Sequence, residues 1–106
     1  MGEEVILDNC ILSPFGQVLH CPHCGDIYLH YVDIHVFNRE KEDADKGLHC
    51  FIKGTSVSVD TNACDRNPSE RRNGIKIKFW CESCFKEAIL DIVCHKGNIF
   101  VGWEVK

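Results

Sequence analysis

The sequence predicts an all-β fold, or at most a small α+β fold, built on one antiparallel sheet. Segments 27–37 and 75–80 are rich in β-branched and aromatic residues, which favour strands. Residues 75–80 also alternate strictly, so Ile75, Ile77 and Phe79 share one face. Glycine and asparagine turn signals separate further short apolar segments. The chain of 106 residues has room for one domain.

The first half of the chain predicts a long strand and a hairpin. Five residues of 27–37 are expected to share one strand face: Tyr28, His30, Val32, Ile34 and Val36. Residues 48–60 predict a hairpin that turns near Lys53-Gly54. Between these segments, 38–47 is a charged loop.

The second half predicts a strand and a second hairpin. In 75–80, the side chains of Lys76, Lys78 and Trp80 point away from the apolar face. Residues 86–95 and 99–105 form the hairpin, with a tight turn at 96–98. Segment 82–94 also fits a helical stripe, but the Gly-Asn turn favours the strand.

The chain divides into an N-terminal arm, residues 1–19, and one domain, residues 20–106, with an insertion at 38–74. Residues 61–74 contain Asn-Pro and Asn-Gly turn signals and almost no core-forming side chains. This segment is therefore predicted to be the most mobile loop.

Two C-x-x-C pairs, C-P-H-C-G at 21–25 and C-E-S-C at 81–84, predict one metal site. The spacing lets the chain turn tightly, so that both sulfurs of a pair reach one ion and backbone amides can donate to them. The four ligands are Cys21, Cys24, Cys81 and Cys84. The N-terminus has no secretory pattern, and a reducing cytoplasm favours metal over disulfides. One Zn²⁺ per chain is predicted, with iron as the less favoured ion.

A closed site of four thiolates keeps no open coordination position, so its role is structural. The remaining cysteines, Cys10, Cys50, Cys64 and Cys94, match no ligand spacing and are interpreted as small buried apolar side chains, with a second metal site as the alternative. His20, His23 and His95 are interpreted as surface histidines that can support the site. No catalytic motif is present, and we expect no enzymatic activity.

The order of knuckle, strand, insertion, strand, knuckle and hairpin resembles a zinc ribbon. The segments CPHCGDIYLH, VFNREKEDADKGLH, NPSERRNGIKIKFWCESC and HKGNIFVGWE resemble a group of small bacterial proteins with such a ribbon, over about residues 20–104. This resemblance implies a fold and a metal and no activity. CPHCGDIY is also similar to the first knuckle of rubredoxins, which would imply iron and electron transfer. However, Phe85 stands where rubredoxins carry Gly, and the two knuckles lie further apart along the chain.

The net charge of the chain helps to decide between a protein partner and a nucleic-acid partner. The formal net charge is −4, and a zinc tetrathiolate would bring it to about −6. A basic and aromatic segment nevertheless runs through Arg66, Arg71, Arg72, Lys76, Lys78 and Trp80, and could hold a nucleic-acid strand. The acidic run at 40–45 is able to neutralise it. A protein-interaction or adaptor module is therefore favoured over a nucleic-acid binder, and no membrane segment is expected. The oligomeric state is left open.

Overall fold

The computed structural model describes residues 18–61 and 66–104, which form one six-stranded antiparallel sheet. The strands are β1 Leu29–Arg39, β2 Gly47–Lys53, β3 Ser56–Asp60, β4 Gly74–Cys81, β5 Glu87–His95 and β6 Asn98–Trp103. Their order across the sheet is β3-β2-β1-β4-β5-β6. The all-β prediction is confirmed, and segment 82–94 contains a strand and not a helix.

Both predicted hairpins are present. The β2–β3 hairpin turns at 54–55, where Gly54 has a φ of 60°. The β5–β6 hairpin turns at Lys96 and Gly97, with φ values of 49° and 79°. Two successive positive φ values are typical of the type I′ turn, whose twist matches that of the flanking strands.

The predicted face of the first strand is wrong at its start. A β-bulge interrupts the β1–β4 register between Tyr31 and Asp33. Before the bulge, His30 pairs with Trp80, whereas after it Ile34 pairs with Ile77. Because a bulge inserts one extra residue, His30 and Ile34 point to opposite faces of the sheet.

One face of the sheet is apolar across its whole width, and we call it the apolar face. Directly paired residues of antiparallel strands share a face, so the register defines two rows of side chains. One row is Val59, Cys50, Val36, Ile75, Ile92 and Val101, and the other is Val57, Ile52, Ile34, Ile77, Leu90 and Trp103.

The opposite face, here the polar face, mixes charged, imidazole and aromatic side chains. One of its rows is Ser58, Phe51, His35, Lys76, Asp91 and Gly102. On this face Phe37 is fully buried, and its ring stacks on His49 with a centroid distance of 4.7 Å.

The buried core lies on the apolar face, near the end of the sheet that carries Cys81. Ala88, Leu90 and Trp103 form it, and Leu19, Leu29 and Phe79 pack against them. Val18 and Leu19 are the described part of the predicted N-terminal arm; residues 1–17, including Cys10, lie outside the described residues.

At the other end of the sheet, one side chain joins two loops. The Arg39 guanidinium donates hydrogen bonds to four backbone carbonyls: those of Ala44, Ser69, Glu70 and Arg72, at 2.7–3.0 Å. Ser69 is buried, and its hydroxyl donates to the Cys94 carbonyl at 3.1 Å. Residues 66–73 are thus held by polar contacts to backbone carbonyls. The scarcity of apolar side chains in this segment did not predict such contacts. The mobility of segment 61–74 stays a prediction, and its residues 62–65, including Cys64, lie outside the described residues.

Candidate metal centre

The first knuckle, residues 21–26, is a tight turn before β1. The Gly25 amide donates to the Cys21 carbonyl at 2.9 Å, and the Cys21 amide donates to the Asp26 carbonyl at 2.7 Å. Gly25 has a φ of 83°, a left-handed conformation that glycine adopts without steric cost. The His23 amide lies 3.4 Å from Cys21 Sγ and donates to it. The turn thereby aims both cysteine side chains at one point.

The second knuckle, residues 81–86, repeats this turn between β4 and β5. The Phe85 amide donates to the Cys81 carbonyl at 3.0 Å, and the Cys81 amide donates to the Lys86 carbonyl at 3.1 Å. Phe85 occupies the position of Gly25 and has a φ of 60°. A left-handed non-glycine residue is uncommon, so the backbone of the turn is kept although its usual residue is missing.

The four cysteine sulfurs meet between the knuckles. All four lie within 4.8 Å of one another. Cys21 Sγ is 3.8 Å from Cys84 Sγ, and Cys24 Sγ is 3.6 Å from Cys81 Sγ. A tetrahedral ion with bonds of about 2.3 Å places its sulfurs about 3.8 Å apart. These separations fit one ion and are far longer than a disulfide bond of about 2.05 Å.

The pKa values of the cysteine thiols are consistent with a cation bound between the four sulfurs. The Cys84 backbone amide, with help from the Ser83 amide, outweighs desolvation and lowers the pKa of Cys81 to about 7. The backbone hydrogen bond of Asp26 acts to lower the pKa of Cys24, but desolvation and the three neighbouring sulfurs raise that pKa to about 12. One thiolate therefore forms readily and disfavours the next, because like charges repel. A bound dication removes this repulsion and holds all four sulfurs deprotonated.

The surroundings hold the knuckles in place. Cys21 and Cys81 are buried, whereas Cys24 is exposed. The Nε2 of His23 donates to the Glu87 carbonyl at 3.0 Å, which ties the first knuckle to β5. The Nδ1 of His20 donates to the Gly25 carbonyl at 2.8 Å. Both histidines thus support the turns through backbone carbonyls, whereas His95 lies at the far end of β5.

The predicted four ligands are the residues that the structure brings together. In the described ranges 18–61 and 66–104, this is the one group of three or more potential ligands close enough to share an ion. Cys50 and Cys94 lie on the apolar face, but they are half-buried and not buried as their interpretation as small buried apolar side chains predicts.

Four of the five cationic side chains of the predicted basic segment pair with carboxylates. Arg71 contacts Glu42 and Asp43 at 2.8 Å, and Arg72 contacts Glu42 at 3.1 Å. On the polar face, Lys76 pairs with Glu104 at 3.2 Å and Lys78 with Glu87 at 3.6 Å. Pairing of the acidic run with the basic loop, one of the alternatives that the sequence left open, is thus present within the chain.

Trp80 lies on the same face as the two lysines, as predicted, but it is half-buried. Its ring lies 5.9 Å from His30 and 6.0 Å from Phe85, measured between centroids. Both neighbours restrict the ring surface on which a base would have to stack.

Sequence reasoning missed three sets of residues. Arg39 joins two loops through carbonyls, and a carbonyl contact leaves no trace in residue types. His35 and His49 meet through a hydrogen bond across two strands. Asp91 is buried, and its Oδ1 has no hydrogen-bond partner in the described structure. Only the position of Asp91 inside an otherwise apolar strand segment gave a signal.

Comparisons with models of known protein families, with curated proteins and with solved structures find no match to the chain. In the residues that the structure describes, no helix is long and apolar enough to cross a membrane.

Proposed function

We propose that this protein is a non-enzymatic zinc-ribbon module that presents its sheet to a protein partner. The four thiolates would hold one Zn²⁺ in a closed structural site, with iron as the alternative ion. Because the thiolates must stay reduced, the proposal places the chain in a reducing compartment such as the cytoplasm.

The observation that carries the binding role is the exposed β2–β3 end of the apolar face. Four large aliphatic side chains lie exposed there: Leu48, Ile52, Val57 and Val59. Val57 is 64% exposed although it pairs directly with Ile52. An exposed apolar cluster of this kind is typical of a surface that another molecule covers.

The edge of the sheet indicates the form of the partner. Among the described strands, β3 has β2 as its one neighbour, and all five of its residues are exposed. Its sequence, SVSVD, contains no proline or lysine, the residues that commonly protect an edge from pairing. We infer that an extended strand of a partner protein adds to β3, and that its apolar side chains meet Val57 and Val59.

Nucleic-acid binding through residues 66–80 is the weaker proposal. Four of its five cationic side chains already pair with carboxylates of the same chain. The paired carboxylates cancel most of the positive charge that a polyanion would need, and the overall negative charge of the chain opposes its binding as well.

The test uses paired variants on opposite faces of the edge strand. The doubly substituted V57K/V59K variant places two charges on the apolar face, and the matched S56T/S58T control changes the polar face of the same strand without adding a lysine. Sedimentation and affinity capture are then compared for the wild type and both variants. A partner bound by the wild type and the control but lost in V57K/V59K supports the proposal.

Two results would count against it. If V57K/V59K lowers the melting temperature strongly and no partner is lost, the apolar end serves the fold itself. If the pure wild type is a dimer that only V57K/V59K dissociates, the partner is a second copy and not a different protein.

A further inference from the structure

A cavity of about 200 Å³ lies on the polar face, away from the cysteines. Strands β1, β4 and β5 form it together with Arg66. Its lining residues are Asp33, His35, Phe37, Arg66, Lys76, Lys78 and Ile89. Ligand pockets for drug-sized molecules are usually about 300–1,000 Å³, so this cavity suits a smaller ligand.

A chain of hydrogen bonds at the cavity wall sets the tautomers of His35 and His49 when both rings are neutral. The carboxylate of Asp60 accepts a hydrogen bond from His49 Nδ1 at 3.0 Å. In a neutral His49 the other nitrogen, Nε2, is therefore an acceptor. It lies 2.9 Å from His35 Nδ1, which must be the donor. Neutral His35 is left with Nε2 as an acceptor.

The ring of His35 is held in this orientation by stacking. Its centroid is 4.3 Å from that of Phe51, nearly parallel, and the ring of His49 stacks on it at 5.1 Å. His49 is buried, and the ring of Phe37 stacks on the His49 ring with a centroid distance of 4.7 Å. The acceptor nitrogen of His35 is thus preorganised.

The charges around the cavity favour an anion over a metal ion. Lys76, Lys78 and Arg66 contribute three cations to the lining, against the single carboxylate of Asp33. Lys76 and Lys78 also pair with Glu104 at 3.2 Å and Glu87 at 3.6 Å, but these two carboxylates do not line the cavity, and each ammonium group has further N–H donors for an anion. Within the described part of the chain, no carboxylate lies within 4.0 Å of the Arg66 guanidinium. A dication between His35 and His49 would face these three positive charges at short range.

We propose that the cavity binds inorganic phosphate in its singly protonated form. Arg66, Lys76 and Lys78 hold the anionic oxygens, and Asp33 and His35 Nε2 offer the acceptors that the remaining O–H group requires. Hydrogenphosphate carries both kinds of group at neutral pH, whereas sulfate has the same shape and charge but no O–H. The arrangement of donors and acceptors therefore selects phosphate over sulfate.

The pH dependence follows from the groups around His35. Desolvation lowers the pKa of His35, as do His49 of β2, Arg66 and Lys76, while Asp33 on the same strand opposes them. Lys78 of β4 also lines the cavity. His35 is therefore neutral at pH 8, and its lowered pKa means that it gains a proton only below its usual range. Once His35 is protonated, its Nε2 becomes a donor that sulfate can accept from. The ratio of phosphate affinity to sulfate affinity should then fall.

The experiment is a titration with inorganic phosphate and with sulfate at pH 8 and pH 5.5, followed by calorimetry and by histidine ¹⁵N shifts. We expect phosphate to bind at least tenfold more tightly than sulfate at pH 8, with a smaller ratio at pH 5.5. Arg66→Gln is expected to weaken phosphate binding at least tenfold. Arg71→Gln, which removes an arginine outside the cavity, should change it less than twofold.

Asp33→Asn gives a test that a loss of folding cannot imitate. The amide donates a hydrogen bond that the carboxylate cannot, so we expect sulfate affinity to rise about tenfold while phosphate affinity falls. Sulfate keeps its charge between pH 8 and pH 5.5, whereas phosphate gains a second proton, so the role of His35 is measured on sulfate alone. The sulfate affinity should rise at pH 5.5 in the wild type and stay unchanged in His35→Gln.

Three results would overturn the proposal. The first is the absence of saturable phosphate binding to the wild type. The second is equal weakening by Arg66→Gln and Arg71→Gln, which would indicate non-specific attraction. The third is a second equivalent of zinc that disappears in His35→Gln, which would make the histidine pair a metal site.

Discussion

The two ends of the β1–β4 pair are held together by different means. At one end, Cys81 and its three partners place four sulfurs within 4.8 Å of one another. At the other end, Arg39 donates to carbonyls of two loops, and no ion is required. The metal end depends on residues of one type at fixed spacing, whereas the arginine end depends on where backbone carbonyls point. This difference predicts how each end responds to substitution.

The largest effect is expected from the metal end. Cys84→Ser removes one ligand, so the variant should lose its metal and most of its cooperative unfolding transition. Structural zinc supplies about 10–16 kcal/mol in small peptides, and whole domains are stable by only about 5–15 kcal/mol. Elemental analysis should find about one zinc per wild-type chain, and circular dichroism should follow the unfolding.

Cys50→Ser is the matched control, because Cys50 lies on the apolar face away from the cluster. We expect it to keep the metal and to unfold near the wild-type temperature. Similar melting of the two variants, or a wild type without metal, would contradict the division of the cysteines. Iron in place of zinc would show as a red protein.

Substitution at the arginine end should lower the free energy of unfolding by less than loss of the metal, but still by a large share of the total. Arg39→Ala leaves the carbonyls of Ala44 and Ser69 without their donor, and we expect a loss of about 2–4 kcal/mol. Denaturant unfolding measures it. Arg71→Ala removes an arginine that makes exposed ion pairs, and it should shift the transition far less. Equal shifts would mean that the Arg39 contacts carry no special weight.

Asp91, between the two ends, should give the smallest effect and one that depends on pH. Desolvation and then the nearby Glu104 raise the pKa of Asp91 to about 6, although Lys76 opposes them. The folded chain therefore binds a proton that the unfolded chain, with a pKa near 3.8, has released. This contribution to stability is present at low pH and is lost as the pH rises through about 6.

Asp91→Asn removes this titration. It should raise the free energy of unfolding by about 1–3 kcal/mol at pH 8 and by less at pH 5. The exposed Asp45→Asn control removes the same charge and should leave the pH profile unchanged. A destabilised Asp91→Asn protein at pH 8 would show that the carboxylate is needed in its charged form.

The contrast between the two ends also explains what the sequence could predict. Strand existence followed from alternation, as in 75–80, and the cluster of four sulfurs followed from two cysteine pairs whose spacing is typical of metal ligands. The bulge after Tyr31 was not predictable, because it depends on how β1 meets β4 and not on the residues of β1 alone. Because of this bulge, His30 lies on the same face of the sheet as Trp80.

The cavity was out of reach of sequence reasoning for a similar reason. His35 and His49 are separated by a loop and come together only through the β1–β2 register. Asp60 joins them from a third strand. Nothing in their spacing along the chain marks three residues as one hydrogen-bonded chain.

The position of the second knuckle in a hairpin has a consequence for the route of folding. Cys81 and Cys84 sit at the tip of two consecutive strands, so they become neighbours as soon as that local hairpin closes. Cys24 lies 57 residues from Cys81, and bringing the two together costs the entropy of closing a long loop. A metal ion that binds early to Cys81 and Cys84 would have only two of its four ligands until the first knuckle reaches it. Refolding speed should therefore be governed by this long-range encounter and not by capture of the ion.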